Sequence, residues 1–121
     1  MALPKNRPLD VIRVHAYMAD VSTAGSAFAV APTRGRIIKM GSVIYNAITG
    51  ADSAITSKIA GTAITGGSWT ITQSGSAAGD VDTAEPTAAR DVTEDQNIEF
   101  ITDGASSTAC PTMFFADIEV Y

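Results

Sequence analysis

Residues Leu9–Ala19 read LDVIRVHAYMA. Ile12, Val14, Ala16 and Met18 fall at every second position, and Arg13, His15 and Tyr17 fill the places between. Alternation of this kind puts one set of side chains on each face of a pleated strand, whereas a helix would need apolar residues three and four apart. The same reading extends outward. Thr112–Tyr121 (TMFFADIEVY) places Phe114, Ala116, Ile118 and Val120 against Phe115, Asp117 and Glu119. Gln96–Thr102 puts Ile98 and Phe100 on one side, and Ser68–Gln73 does so with Trp69 and Ile71. Ser53–Ala60 alternates Ile55 and Ile59 with polar neighbours. Shorter candidates are Ser26–Ala31 and Thr62–Thr65. The longest β-rich run is Arg36–Ile48 (RIIKMGSVIYNAI), in which Gly41 predicts a bulge or bend.

Between these runs stand turn residues: Pro32–Gly35, Thr49–Asp52, Gly66-Gly67 and Asp103-Gly104. Ser74–Arg90 is small, polar and interrupted by Pro86; it predicts a long loop with one short edge segment near Val81. About eight short strands spaced by turns at roughly 8–12 residues predict an all-β fold. A jelly-roll-like two-sheet β-sandwich suits that number, with a Greek-key, immunoglobulin-like arrangement as the second possibility. Residues 1–8, with Pro4 and Pro8, predict an extended N-terminal arm, followed by a single domain over 9–121.

Composition narrows the function. Of 121 residues, 54 are Ala, Thr, Ser or Gly, and only 17% are charged. The surface is therefore expected to be smooth and lightly charged, suited to lying against other protein. The net charge of −5 argues against nucleic acid as a partner. Charge is also uneven: residues 1–40 carry +4 and residues 41–121 carry −9. This division predicts a basic attachment end and an acidic body. No apolar run of membrane-spanning length exists, and residues 1–10 lack the apolar stretch of a secretory leader, so no membrane partner is expected.

The reactive inventory is sparse. One His and one Cys rule out an internal disulfide and a multi-His or Cys-rich metal site within one chain. His15, on a strand beside Arg13 and Tyr17, reads as a surface or interface side chain. Cys110, before Pro111 and far in sequence from any base, reads as structural. Asp80, Asp82 and Glu85, then Asp91, Glu94 and Asp95, could offer oxygen ligands to Ca²⁺, but the spacing of an EF-hand loop is absent. They read as solvated loop acids. The eight aromatics are scattered, and the Phe residues are expected to face the core, which leaves little for a sugar-binding cleft. None of the glycine-rich pieces (Gly61, Gly66-Gly67, Gly75, Gly79) precedes Lys-Ser/Thr, so no phosphate loop is read. No enzymatic activity and no cofactor are expected. The one concentrated basic feature is the Arg34-Gly35-Arg36 turn, which can offer bidentate contacts to carboxylates of another protein.

Several segments resemble a known group in their order. They are PTRGRIIK (Pro32–Lys39), GSVIYNAITGAD (Gly41–Asp52), IAGTAITGG (Ile59–Gly67), SGSAAGDV (Ser74–Val81) and EDQNIEFITDG (Glu94–Gly104). Together they resemble the capsid cement, or head-decoration, proteins of tailed bacteriophages, over about residues 30–104. The resemblance implies a jelly-roll sandwich bound to the outer surface of the virion. Its implied partners are the major capsid protein and itself, as a homodimer or homotrimer. It implies no activity and no cofactor, and it carries over no catalytic residue. From charge alone, the expected capsid contacts are Lys5 and Arg7 in the arm and Arg34 and Arg36 in the turn. The alternative is another virion β-module, such as a head-fibre base, a tail component or a carbohydrate-binding adhesin domain.

Overall fold

A computed structural model describes residues 10–121. The expected arm, with Lys5 and Arg7, and the first residue of the opening run, Leu9, lie outside the described residues. Within them, ten strands and no helix are found. They are β1 (Val11–Met18), β2 (Gly25–Val30), β3 (Gly35–Ile44), β4 (Ser53–Ile59), β5 (Thr62–Ala63), β6 (Trp69–Ile71), β7 (Val81–Ala84), β8 (Asp91–Val92), β9 (Asn97–Thr102) and β10 (Thr112–Val120). Sheet A runs β1-β10-β3, with β7 and β8 both on the far edge of β3. Sheet B runs β2-β9-β4, with β5 and β6 both on the far edge of β4. All pairings are antiparallel.

The pairing is nested. The first strand meets the last, β2 meets β9, β3 meets β7 and β8, and β4 meets β5 and β6. A long hairpin rolled over itself so that strands alternate between two sheets gives this order, which is a jelly roll. Ten strands stand where about eight are expected; each two-strand edge fills one position, so the jelly roll has eight strand positions. β7 is the short edge segment expected near Val81. β8 was not expected, because two residues are too few to show alternation.

Facing side chains of the two sheets fill the core. Phe100 of sheet B stacks on Phe114 of sheet A at 5.1 Å, and both are fully buried. Trp69 meets their edges at 6.3 and 6.2 Å. Its indole N–H donates to Ser42 Oγ across the sandwich at 3.0 Å, so the ring is buried without a stranded polar atom. Among the described residues no buried side-chain N or O lacks a hydrogen-bond partner.

Two expectations for β3 need correction. The strand ends at Ile44, where the chain bends, although Ile48 is still buried. The bulge is not at Gly41. Gly41 lies in regular register opposite Phe115, while Lys39 opposes Asp117 and Ile37 opposes Ile118, leaving Ile38 as the extra residue. The extra residue resets the alternation, so Ile37 and Met40, three apart, both point inward and are fully buried. Gly41 serves close approach instead. A Cβ there would lie 2.5 Å from the Asp82 carbonyl oxygen and 2.6 Å from the tip of the Phe115 ring.

Candidate functional site: the outer face of sheet A

The pleat leaves one face of sheet A turned away from the core, and register aligns its side chains in rows across the strands. The first row is Tyr17, Met113, Val43 and Val81, one residue each from β1, β10, β3 and β7. The second is His15, Phe115, Gly41 and Thr83. The third is Arg13, Asp117 and Lys39, and the fourth is Val11, Glu119, Arg36 and Asp91. The face therefore grades from apolar at one end to charged at the other. Tyr17 and Val81 are 57% and 58% exposed, and Tyr45, just beyond β3, is 45% exposed. An open trough of about 800 Å³ runs over the first three rows.

The charged groups are organised locally. Arg13 makes a two-pronged contact with Asp117, Nε to Oδ1 at 2.6 Å and Nη2 to Oδ2 at 3.0 Å. Its guanidinium carbon also lies 4.1 Å from the centre of the Phe115 ring. The hydrogen bonding to Asp117 pushes the Arg13 pKa further up against desolvation, and the charge of Asp117 adds a smaller rise. The stack explains why Phe115, on the outer face, is still buried. Lys39, directly across from Asp117, forms no ion pair among the described residues.

The sequence-derived candidates fall in different places. Arg36 pairs with Glu119, with Nη2 at 2.8 Å and Nε at 2.9 Å from Oε1, and lies 5.8 Å from the Tyr121 ring. Arg34 donates through Nε to the Tyr121 carbonyl at 2.8 Å. The basic turn is thus folded onto the last residues of the chain. His15 is exposed on the second row of the trough. Cys110 is fully buried, and its Sγ lies 3.3 Å from the Asn46 carbonyl. Asp20 accepts from the Ser22 hydroxyl and N–H and from the Cys110 N–H, which lowers its pKa. Asp82 is inward-facing on edge strand β7, and desolvation, then the charge of Asp80, raises its pKa. Among the described residues no three His, Cys, Asp or Glu side chains gather closely enough to hold a metal ion.

The Phe residues also divide. Phe100 and Phe114 face the core as expected, Phe115 is buried on the outer side, and Phe28 is 56% exposed. The sequence did not mark this division in β2, since Ala27, Phe28, Ala29 and Val30 are all apolar, and only the structure shows Phe28 on the face opposite its buried neighbours Ala27 and Ala29. The trough residues Val43, Val81 and Met113 went unread for a related reason. A large apolar residue between two core positions looks like surplus core until the partner strands show that it shares a face with others.

These observations define an antiparallel jelly-roll sandwich with one grooved, partly apolar outer face. The fold is also found in a chain described as belonging to the "Cyanophage Pam1 capsid asymmetric unit", with a TM-score of 0.54 and 14% identity. The match covers 100% of this chain and 93% of that one, so the two are nearly equal in length. A second similar structure, from the Agl-KA catalytic domain, has a TM-score of 0.49 and 11% identity over 30% of its length. No protein-family model matches the sequence, and no curated protein is detectably similar to it.

Proposed function

We propose that this chain is a structural protein of a tailed-phage virion that binds the outer surface of the capsid shell and stabilises it, as a cement protein does. Its fold spans, end to end, a chain of similar length in a phage capsid asymmetric unit, and this observation carries the reading. The physical requirements of the role agree with it. A shell under internal pressure is held by many small, stiff bodies, each burying a modest area at a junction. Standard interfaces bury about 1,200–2,000 Å² in total, and multiple copies add avidity. A nested two-layer sandwich is such a body, and the face of sheet A offers apolar area for burial. The role needs no reacting group, and we assign no enzymatic activity and no cofactor. In this reading the protein acts as a homodimer or homotrimer on the major capsid protein, with Lys5, Arg7, Arg34 and Arg36 adding contacts from the basic end.

Co-sedimentation with purified expanded empty heads of the phage that encodes it tests the proposal. Saturable binding at physiological salt, with heads that resist heating better when coated, is the expected result. Absence of binding would overturn it.

A further inference from the structure

We infer that the trough on sheet A is the docking surface, and that it takes an acidic segment of a partner protein carrying an apolar anchor. The inference rests on the virion reading above and names the face and the partner chemistry.

The chain carries −5 overall, yet the residues lining the trough include Arg13, His15 and Lys39 and no acid. Asp117, which lies beside them, is held by both prongs of Arg13. Among the described residues Lys39 therefore has no ion-pair partner, and it is set at the margin of apolar surface. Such an ammonium attracts a carboxylate strongly once neighbouring apolar contacts exclude water.

Val43, Val81 and Met113 stand side by side across three strands, with Tyr45 also in the lining and Tyr17 outside it, opposite Met113 on β1. A row of this kind gives an aliphatic or aromatic side chain a place to bury, and interfaces concentrate their binding energy at such anchors. Nucleic acid fits poorly, because the floor is apolar and the rest of the chain repels phosphate. A symmetric pairing of two copies through this face also fits poorly, because the trough lining holds no acid to receive the Lys39 of either copy. An acidic segment with one apolar anchor satisfies both halves of the surface.

The test uses the full chain and expanded empty heads as the probe. Lys39→Glu and Val81→Asp alter exposed or half-exposed side chains, so unchanged thermal unfolding is expected to show an intact fold. Each is expected to weaken head binding by about tenfold or more. Wild-type binding should fall as salt rises, more steeply than that of Lys39→Glu, and Lys39→Arg should restore it. If wild type binds and both variants bind equally well, the trough is not the docking surface, although the virion reading survives. If wild type does not bind, both fail. Two further outcomes overturn the inference by naming another occupant. One is a dimer in sedimentation that Val81→Asp abolishes. The other is removal of residues 1–9 sharply increasing the oxidative labelling of Met113 and Tyr17.

Discussion

Sheets A and B present their outward residues by the same alternation, yet the two outer faces differ in kind. On sheet B, register groups Ser26 with Ile101 and Thr56, and Phe28 with Glu99 and Lys58. Ala54 and Thr70 form a further pair. Phe28 and Val30 adjoin along β2, but across the strands each large apolar residue there faces small, polar or charged ones, and Ser26 donates to Glu99 at 2.6 Å. On sheet A, four large apolar side chains share one row, and the charges stand apart in two others. An apolar residue alone on a surface carries little information, but aligned apolar residues mark a surface that another molecule can cover. The contrast therefore lies in register more than in composition.

The inner faces provide the baseline for this contrast. Phe100→Ala and Phe114→Ala remove one member each of the same stacked pair, one from either sheet. Each is expected to cost about 3–5 kcal/mol in denaturant unfolding. If one were tolerated, the two sheets would not share the core equally. Next in size is an outer-face pair. Gly41→Val drives a side chain into the Asp82 backbone and the Phe115 ring, at an expected cost of about 1–3 kcal/mol. Ala54→Val, on the exposed face of sheet B, should stay within about 0.5 kcal/mol. Equal effects would show that the close packing over sheet A has no energetic counterpart.

Smaller effects belong to the charges. Arg13→Ala should cost at most about 1 kcal/mol, since that side chain is about half exposed, and the difference from wild type should shrink in high salt. The double change Arg34→Glu and Arg36→Glu should weaken head binding by less than Lys39→Glu does. Arg36 already spends its charge on Glu119, and Arg34 is tied to Tyr121. A larger loss would move the main contact from the trough to the basic turn.

The smallest effects are in acid, and two carboxylates there have opposite signs. The pKa of Asp20 is lowered on folding, so its contribution is full above the unfolded value of about 3.9 and is lost as pH falls through the lower folded value. Asp20→Asn should remove that part of the acid dependence. The pKa of Asp82 is raised, so its ionised form is penalised at neutral pH; the penalty fades as pH falls through the raised folded value and is gone below the unfolded value of about 3.9. Asp82→Asn should be more stable than wild type at pH 7 and should lose that advantage in acid. Unfolding curves recorded across pH 3–7 distinguish the two cases.

The site was less legible in the sequence than the fold. Ile98, Phe100, Phe114 and Ile118 could be placed in the core from alternation, because a half-buried strand separates its faces locally. Arg34 and Arg36 stood out because basic residues were few. Their engagement with Tyr121 and Glu119 joins residues more than 80 positions apart, and no local pattern announces it. The trough is more distant still from local reading, since its first row draws one side chain from each of four strands.

The amino-acid sequence by itself determined that residues 10–121 form an all-β fold, where most strands run, and which face of several of them is buried. Those properties follow from side-chain spacing along a single pleated segment. Only the tertiary structure decided that the first strand pairs with the last, that Ile38 and not Gly41 is the bulge, and that Tyr17, Met113, Val43 and Val81 line up. Register between strands distant in the chain is chosen by the whole core at once, because each inward side chain must fill space left by the opposite sheet.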